Sequence, residues 1–187
     1  MTSDHLETRR RVIAAADRLF YEHGFRAVGM ATLRSSAGVS LKHLYVLFPS
    51  KEAIILAVLE HRHELWLGEV KHTVTQADSS EEKLLAVFDF LDTWIRSETF
   101  RGCVFINAFG ELGAESPAVA QRAREHKHAF RHLLGQLVDQ AHLPKDLTDE
   151  LMLLAEGVQA TAAITGETHL AQHARRAAEA LVASARA

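Results

Sequence analysis

The sequence is poor in cysteine and proline, and each shortage excludes a class of protein. Cys103 is the single cysteine among 187 residues, so the chain has no intramolecular disulfide and no multi-cysteine zinc site. Three prolines and ten glycines interrupt a sequence rich in helix formers. No apolar run approaches the about 20 residues that span a bilayer, and the N-terminus lacks a signal-peptide pattern. These absences predict a soluble, cytoplasmic, helical protein with no membrane contact.

Acidic residues outnumber basic ones, but the two signs are unevenly distributed. The formal net charge is −3. Residues 1–62 contain nine Lys or Arg against six Asp or Glu, whereas residues 63–187 contain twelve against eighteen. A basic first part on an acidic remainder is typical of a DNA-binding domain joined to a domain of different function. Chance scatter explains so small an excess equally well, so the asymmetry alone does not decide.

A tight turn between two short helices is the most informative local pattern. The segment GMATLRSSAGVSLKHLYVLFPSK, residues 29–51, predicts helices over 30–36 and 40–48. Gly38 allows the positive φ that the turn between them requires, and Ser40 stands where an N-cap belongs. Pro49 ends the second helix because it has no N–H and disfavours a helical residue before it. This is the pattern of a helix-turn-helix.

The two faces of the second helix have different expected roles. Five apolar side chains are spaced to meet in a small core: Leu33, Ala37, Val39, Leu44 and Phe48. Four others point away from that core: Leu41, Lys42, His43 and Tyr45. A helix presented in this way can enter the DNA major groove.

The rest of the chain reads as helix throughout. A helix from about Thr8, its expected N-cap, to His23 completes a three-helix head. Apolar spacing predicts six more, over about 50–74, 81–97, 103–112, 117–142, 148–165 and 169–185, with no strand. The helix near residue 81 lacks the glutamate of a capping box if Ser80 is its N-cap. We therefore expect an all-α fold of about nine helices. Its domains would be a DNA-binding head over 1–49 and a ligand-binding and dimerisation domain over 50–187, which begins with a connector helix.

Several motifs occur in a fixed order and spacing over residues 8–60. They are TRRRVI at 8–13, LF at 19–20, HGF at 23–25, AGVS at 37–40, LY at 44–45, FPSKE at 48–52 and AVL at 57–59. Together they resemble the head of the tetracycline-repressor (TetR) family of transcription regulators. Arg101-Gly102-Cys103, with Asn107-Ala108 and Glu111, also resembles a segment of many members. The resemblance implies a DNA-binding regulator, most often a repressor released by a small molecule.

The resemblance also implies roles for individual residues of the head. Phosphate contacts are implied for Thr8, Ser40, Tyr45 and Lys51. Base-edge contacts are implied for Leu41, Lys42 and His43, where the family commonly has Lys or Arg, then Gly, then Thr or Ala. Gly29 and Arg34 also depart from the usual cap residue and the usual alanine. These departures leave the operator sequence unpredicted.

Seams of small residues in the last two helices predict a homodimer. Small side chains let helices approach closely, and the final helix has little of its own chain to pack against. The expected interface residues are Leu151, Leu154, Val158, Ala162, Ala174, Ala178, Leu181 and Val182. The expected partners are therefore double-stranded operator DNA, a small-molecule effector and a second copy of the chain.

Aromatic side chains of the larger domain are candidates to line an effector cavity. The candidate lining residues are Trp66, Phe88, Leu91, Trp94, Phe105, Phe109 and Phe130, with Asn107 and Gln159 to orient the ligand. An ordinary packed core, with Asn107 capping or cross-linking helices, is the alternative that periodicity leaves open. The apolar lining predicts a hydrophobic or aromatic effector and no cofactor.

Other chemistry has weaker support in the sequence. Cys103 or Glu111 could serve an enzyme, but neither has partners at a recognisable spacing, so we expect no catalytic residues. Histidine pairs at i, i+4, His128 with His132 and His169 with His173, can chelate a metal but lack companion ligands, so we expect no metal site. Redox sensing through Cys103 stays open. The alternative overall function is a helical small-molecule-binding protein with a degenerate DNA-binding head.

Overall fold

The computed structural model describes residues 3–186, with side chains from His5 onwards, and this part of the chain is all helical. Nine α-helices and no strands occur in it, as predicted. Their bounds are α1 Ser3–His23, α2 Met30–Ala37, α3 Leu41–Leu47, α4 Lys51–Thr75, α5 Ser80–Ile95, α6 Val104–Leu112, α7 Pro117–Gln140, α8 Leu147–Thr165 and α9 Leu170–Arg186. No helix within the described range is both long and apolar enough to cross a membrane.

The chain forms two compact units, and neither is continuous in sequence. We call residues up to 64 together with 104–124 the head unit, and residues 65–103 together with 125 onwards the body unit. The chain therefore passes between units at three places: within α4, immediately before α6, and within α7. The expected division at residues 49 and 50 stays a prediction, and the grouping of α6 with the head was not foreseen.

The head unit has a small core beneath its first three helices. Val12, Ala16 and Phe20 of α1 are buried, and the ring of Phe20 stacks on that of Phe25 with centroids 5.1 Å apart. Leu33 from α2 and Leu44 and Phe48 from α3 complete this core. α2 and α3 are too short to be stable alone, and the burial of six large apolar side chains in this core holds them in position.

The body unit has a larger apolar core. Contacts between α5, α8 and α9 dominate it, and α7 and the end of α4 also contribute. Its fully buried large side chains include Leu84, Phe88, Leu91, Phe130 and Leu151. Complete burial of this many large side chains is worth about 1.5–3 kcal/mol each before the entropy cost of folding, so the body is stabilised mainly by apolar packing.

Two predicted helix starts are corrected by the structure. Helix α1 begins at Ser3, so Thr8 lies inside the helix with its side chain buried and is not an N-cap. Helix α5 does have a capping box: Ser79 Oγ accepts from the Glu82 N–H, and the Glu82 carboxylate accepts from the Ser79 N–H. The prediction placed the cap one residue too late, which moved Lys83 into the position of Glu82.

Candidate DNA-contacting surface and effector region

The turn between α2 and α3 has the geometry that its sequence predicts. Gly38 has φ 65°. Its N–H donates to the Ser35 carbonyl oxygen, and the Val39 N–H donates to the Arg34 carbonyl oxygen, which ends α2. Ser40 is the N-cap of α3, and its Oγ accepts from the His43 N–H at 3.1 Å. The start of α3 is therefore held by a local bond that needs no DNA.

The inner face of α3 and its neighbours matches the predicted small core with one exception. The four side chains Leu33, Ala37, Leu44 and Phe48 are buried, and Val39 is half-buried. The Arg9 guanidinium also lies 4.9 Å from the centroid of the Phe48 ring, on which it stacks. The outer face of α3 is consequently fixed in direction by the packing behind it.

The outer face of α3 carries apolar, cationic and phenolic side chains. Leu41 is 44 % exposed and Tyr45 is 48 % exposed, and Lys42 is exposed as well. Val46, which the sequence reading did not select, is 65 % exposed. Helical period was the signal for it, because positions i, i+1, i+4 and i+5 share a face. This surface combines a hydrogen-bond donor with apolar groups able to meet a thymine methyl.

His43 is placed differently from the other predicted base-edge residues. It is half-buried, and its ring centroid lies 5.6 Å from that of His5 on α1. Its Nε2 is buried and has no hydrogen-bond partner among the described residues. In this conformation Nε2 of His43 is not accessible to a base.

The two outlying phosphate-contact candidates are not on this face. Thr8 is 6 % exposed inside α1. Lys51, at the start of α4, directs its Nζ to the carbonyl oxygen of Arg26 at 3.2 Å. Burial lowers the pKa of the Lys51 ammonium from its ordinary value. Thr8 is therefore buried within the head unit, and Lys51 forms a hydrogen bond within it.

A group of polar contacts, which we call the clamp, joins the α1–α2 turn to the end of α6. It consists of Arg26, Lys51, Glu111 and Glu115. The Glu111 carboxylate accepts from the N–H groups of Phe25 and Arg26, and the Arg26 guanidinium bonds the Glu111 carbonyl and the Glu115 carboxylate. No local sequence signal indicates the clamp, because its two parts lie 85 residues apart.

An aromatic cluster of the body unit surrounds Trp66. Its ring centroid lies 4.8 Å from that of Phe130, 5.3 Å from that of His126, 5.6 Å from that of Phe90 and 6.4 Å from that of Trp94. The Trp94 ring in turn meets Phe100 edge-on at 5.0 Å. Phe130 and His126 are buried, whereas Trp66, Trp94 and Phe100 are only half-buried. The cluster thus has a packed inner side and a partly accessible side.

The predicted effector-lining residues divide between the two units. Phe88, Leu91 and Gln159 are buried in the body unit, where the Gln159 Nε2 donates to the Ala155 carbonyl oxygen at 3.0 Å. Trp66, Trp94 and Phe130 belong to the aromatic cluster. The other three are on α6 in the head unit: Phe105 is buried, Asn107 is half-buried and Phe109 is 51 % exposed.

Most of the predicted dimer residues are already buried within one chain. Leu151, Val158, Ala162, Ala174, Ala178 and Val182 are at most 7 % exposed, and Leu154 and Leu181 pack against the same core. The exposed large apolar residues of α8 are instead Leu153, at 73 %, and Ile164, at 85 %. A cleft of about 360 Å³ lies along this side of α8 and α9, and Leu153, Gly157 and Ala177 are among its lining residues.

Cys103 is buried, and its sulfur has a charged neighbour. Lys127 Nζ donates to Cys103 Sγ at 3.2 Å and to Glu156 Oε2 at 2.5 Å. The histidine pairs have no further ligands: within the described residues no three His, Cys, Asp or Glu side chains are grouped to hold a metal ion. His169 and His173 are both exposed, with ring centroids 5.6 Å apart.

Family comparison agrees with this architecture along most of the chain. The family described as bacterial regulatory proteins, tetR family, matches residues 12–58, which contain α2, the turn and α3. The tetracyclin repressor-like C-terminal domain matches residues 80–178, more than half of the chain. The chain belongs to the TetR family. The predicted resemblance is confirmed, and because this family consists of transcription regulators, the chain is not an enzyme.

Named relatives of this TetR-family chain include proteins of opposite regulatory sense. It is 31 % identical over 90 residues to the transcriptional activator FasR of Mycolicibacterium smegmatis, covering 46 % of this chain and 41 % of FasR. It is 26 % identical over 125 residues to the transcriptional repressor ComR of Escherichia coli, covering 66 % of this chain and 59 % of ComR. The chain thus spans about half the length of these two relatives.

The fold is shared with solved structures of the family at low sequence identity. The crystal structure of SCO4454, a TetR-family regulator from Streptomyces coelicolor, superposes with a TM-score of 0.88 at 24 % identity. The alignment covers 96 % of this chain and 90 % of that one. At this identity the likeness supports the TetR-family fold and leaves ligand and operator to be argued from this chain's own residues.

Proposed function

We propose that the protein is a homodimeric, sequence-specific DNA-binding repressor of transcription that a small hydrophobic or aromatic effector releases from its operator. The outer face of α3 carries this proposal. Its start is already capped by Ser40, its inner face is packed, and Leu41, Lys42 and Tyr45 are exposed. A preformed helix of this kind loses little entropy on entering the major groove.

Different residues of this face have different proposed contacts. Lys42 can donate to guanine O6 or N7, and Leu41 can pack on a thymine methyl. The Tyr45 hydroxyl and the backbone at Ser40 suit phosphate oxygens. Ser40 Oγ already serves as the cap acceptor, and its hydroxyl hydrogen remains available to donate. His43 contributes a base contact only once its Nε2 becomes accessible.

Selection of bound duplexes from a random DNA pool at two salt concentrations tests the proposal. An enriched inverted repeat is expected, because each head of a two-fold dimer would meet one half-site. Affinity for it should fall steeply with salt, since phosphate contacts release counterions. No enrichment by a folded, ligand-stripped dimer would contradict the proposal and support a small-molecule-binding protein with a degenerate head.

Substitutions on α3 separate base contacts from phosphate contacts. Lys42→Ala should change the preferred base at one half-site position and cost about 1–3 kcal/mol there. Tyr45→Phe should weaken binding to all sequences alike. Lys71→Ala, an exposed lysine of α4 in the body unit, is the control for removing one positive charge. Equal effects of Lys42→Ala and Lys71→Ala on every duplex would contradict a base contact.

The exposed side of α8 and α9 is our proposed dimer surface. Leu153 and Ile164 are large apolar residues left in solvent, beside a cleft lined partly by Gly157 and Ala177. Small residues beside large ones allow close helix packing between two copies. The predicted seam contributes through Leu154 and Leu181, the two members that are only partly buried. Analytical ultracentrifugation of Leu153→Asp should show monomer, and a retained dimer would contradict this surface.

The aromatic cluster around Trp66 is our proposed effector region. Trp66, Trp94 and Phe100 present half-buried rings on which a flat apolar molecule can stack. The chain's only two tryptophans lie in this cluster, so intrinsic fluorescence reports on it directly. A panel of planar aromatic acids, amines and quinones should include a compound that quenches this emission and releases the selected operator. Quenching without release would contradict the regulatory role.

The proposed direction of regulation is repression. ComR, the relative that aligns with more of this chain than FasR does, is named as a repressor, and FasR as an activator. A reporter gene under the selected operator decides between them. Expression should fall when the protein is produced and recover when the effector is added.

A further inference from the structure

The α1–α2 turn has two consecutive backbone donors that are satisfied by one distant carboxylate. Glu111 Oε1 accepts from the Phe25 N–H at 3.1 Å, and Oε2 accepts from the Arg26 N–H at 2.9 Å. The preceding Gly24 has φ +84°, and a Cβ built there would lie 3.0 Å from Glu111 Oε1. The backbone at Gly24 therefore lies close to the Glu111 carboxylate, and it has a positive φ that residues other than glycine rarely adopt.

The same turn also holds the C-terminal end of α6. Arg26 Nε and Nη2 donate to the carbonyl oxygen of Glu111 at 2.9 and 2.6 Å, and Nη2 donates to Glu115 Oε1 at 2.7 Å. A guanidinium at a helix C-terminus satisfies a carbonyl that has no partner within the helix and meets the negative end of the helix dipole. The carboxylate of Glu115 raises the Arg26 pKa further. The end of α6 thus satisfies the N–H groups of the α1–α2 turn, and the turn satisfies a carbonyl at the end of α6.

The starts of α4 and α7 join the same arrangement. Lys51 Nζ donates to the Arg26 carbonyl oxygen at 3.2 Å. This carbonyl is the third backbone polar group of the turn that is bonded, after the N–H groups of Phe25 and Arg26. Next to Lys51, Glu52 Oε1 accepts from the Ser116 hydroxyl, whose oxygen in turn accepts from the Val119 N–H at the start of α7. The α1–α2 turn is consequently fixed by α4 and α6 together, immediately before α2 begins.

We propose that Glu111 is a positioning residue through which α6 sets the α1–α2 turn, and with it the helix-turn-helix, and that Lys51 acts in this clamp and not on a DNA phosphate. The regulatory part of this inference depends on the proposed function. It assigns Lys51 a role that differs from the one its motif implies.

The chain path explains why the clamp suits regulation. The chain leaves the body unit at Cys103, and α6 begins at the next residue, so one continuous helix leads from that crossing to Glu111. A cleft of about 390 Å³, lined in part by Arg26, Lys51 and Glu115, borders the clamp. Water in the cleft can replace the clamp bonds one by one, so the clamp can open without unfolding a core.

Hydrogen exchange tests the clamp without any DNA or effector. In Glu111→Gln the amide group keeps the size of the carboxylate but offers one acceptor to two N–H donors. We expect exchange in a peptide covering residues 24–28 to accelerate about tenfold, as a charged acceptor is lost. Glu69→Gln, on the exposed part of α4 in the body unit, is the matched control. Unchanged exchange at residues 25 and 26 would overturn the clamp.

Salt dependence of DNA binding tests whether these residues position the helix or contact phosphates. On the operator found by selection, Glu111→Gln and Lys51→Gln should each weaken binding at least about fivefold with the slope of log affinity against log salt unchanged, because no phosphate contact is lost. If Lys51 contacts a phosphate, the slope for Lys51→Gln falls by about 0.9 instead. That result would overturn our assignment of Lys51.

A second variant keeps the test decisive if Glu111→Gln fails to fold. Arg26→Gln opens the clamp from the other side and should give the same exchange pattern and the same unchanged slope. Full protection and wild-type affinity in folded Arg26→Gln would contradict the inference. If the wild-type protein binds no DNA but the variants exchange faster as expected, the proposed function is overturned and the clamp is still supported.

Discussion

The head unit and the body unit are stabilised by different kinds of interaction. The head has a small core, and charged groups of two other segments, Glu111 of α6 and Lys51 of α4, bond its α1–α2 turn. The body has an extended apolar core, and several of its ion pairs lie on the surface, such as Arg175 with Asp89 and Arg131 with Asp149. Polar bonds depend on direction and distance, whereas apolar packing depends on volume. Single polar changes should therefore affect the geometry of the head more than they affect the stability of the body.

The largest effect on stability should come from the core of the body. Leu151→Ala removes a fully buried side chain of α8 and should lower the free energy of unfolding by about 2–5 kcal/mol. Leu153→Ala, two residues away and 73 % exposed, should change the stability of the fold little and weaken the proposed dimer instead. Urea unfolding and sedimentation of both variants separate the two effects. Similar unfolding midpoints would contradict the assignment of the two faces of α8.

A smaller effect is expected where α3 begins. Ser40→Ala removes the acceptor for the His43 N–H and should cost about 1 kcal/mol of head stability. Ser35→Ala, on the exposed side of α2, should cost less. Thermal unfolding measures both. Equal losses would mean that α3 is held only by the packing behind it.

The surface ion pairs of the body should matter less than either change. Asp89→Asn breaks the contact with Arg175, in which both side chains are at least 35 % exposed. We expect a loss of at most about 1 kcal/mol that shrinks further in high salt, because water and ions screen such pairs. A loss as large as that of Leu151→Ala would contradict the contrast between the units.

The smallest predicted effect depends on pH. The Ser79 N–H holds the pKa of Glu82 below its ordinary value of 4.5, so the folded state binds fewer protons there than the unfolded state. The resulting stabilisation is present above the ordinary pKa and is lost as pH falls through the lowered one. The wild type should therefore melt slightly above Glu82→Gln at pH 7, with the gap closing at pH 3. Glu98→Gln serves as the control, and a gap that grows in acid would contradict the capping box.

Local sequence signals predicted the helices well because each has a local physical cause. Gly38 and Ser40 marked the turn of the helix-turn-helix, and the observed geometry confirms both. Pro117 likewise opens α7, where the missing N–H of proline is harmless. The missed capping box at Ser79 shows the precision of such signals, which is about one residue.

The arrangement of side chains between distant segments could not be predicted in the same way. Glu111 lies 85 residues from Arg26, and no spacing in the sequence indicates that they meet. The small-residue seams of α8 and α9 were visible, but periodicity does not say whether a seam faces its own chain or a second copy. The core places most of it within one chain. Long-range pairing is set by the fold as a whole.

The burial of Cys103 makes site-specific labelling of this protein straightforward. Its thiol is the only one in the sequence and is 5 % exposed, so maleimide reagents should react with it slowly because it is buried. A cysteine introduced at exposed Ser36 would then be the single fast-reacting thiol of each chain. Spin labels attached there would measure the distance between the two heads of the proposed dimer directly. The change in that distance when a candidate effector is added would test the proposed release from DNA.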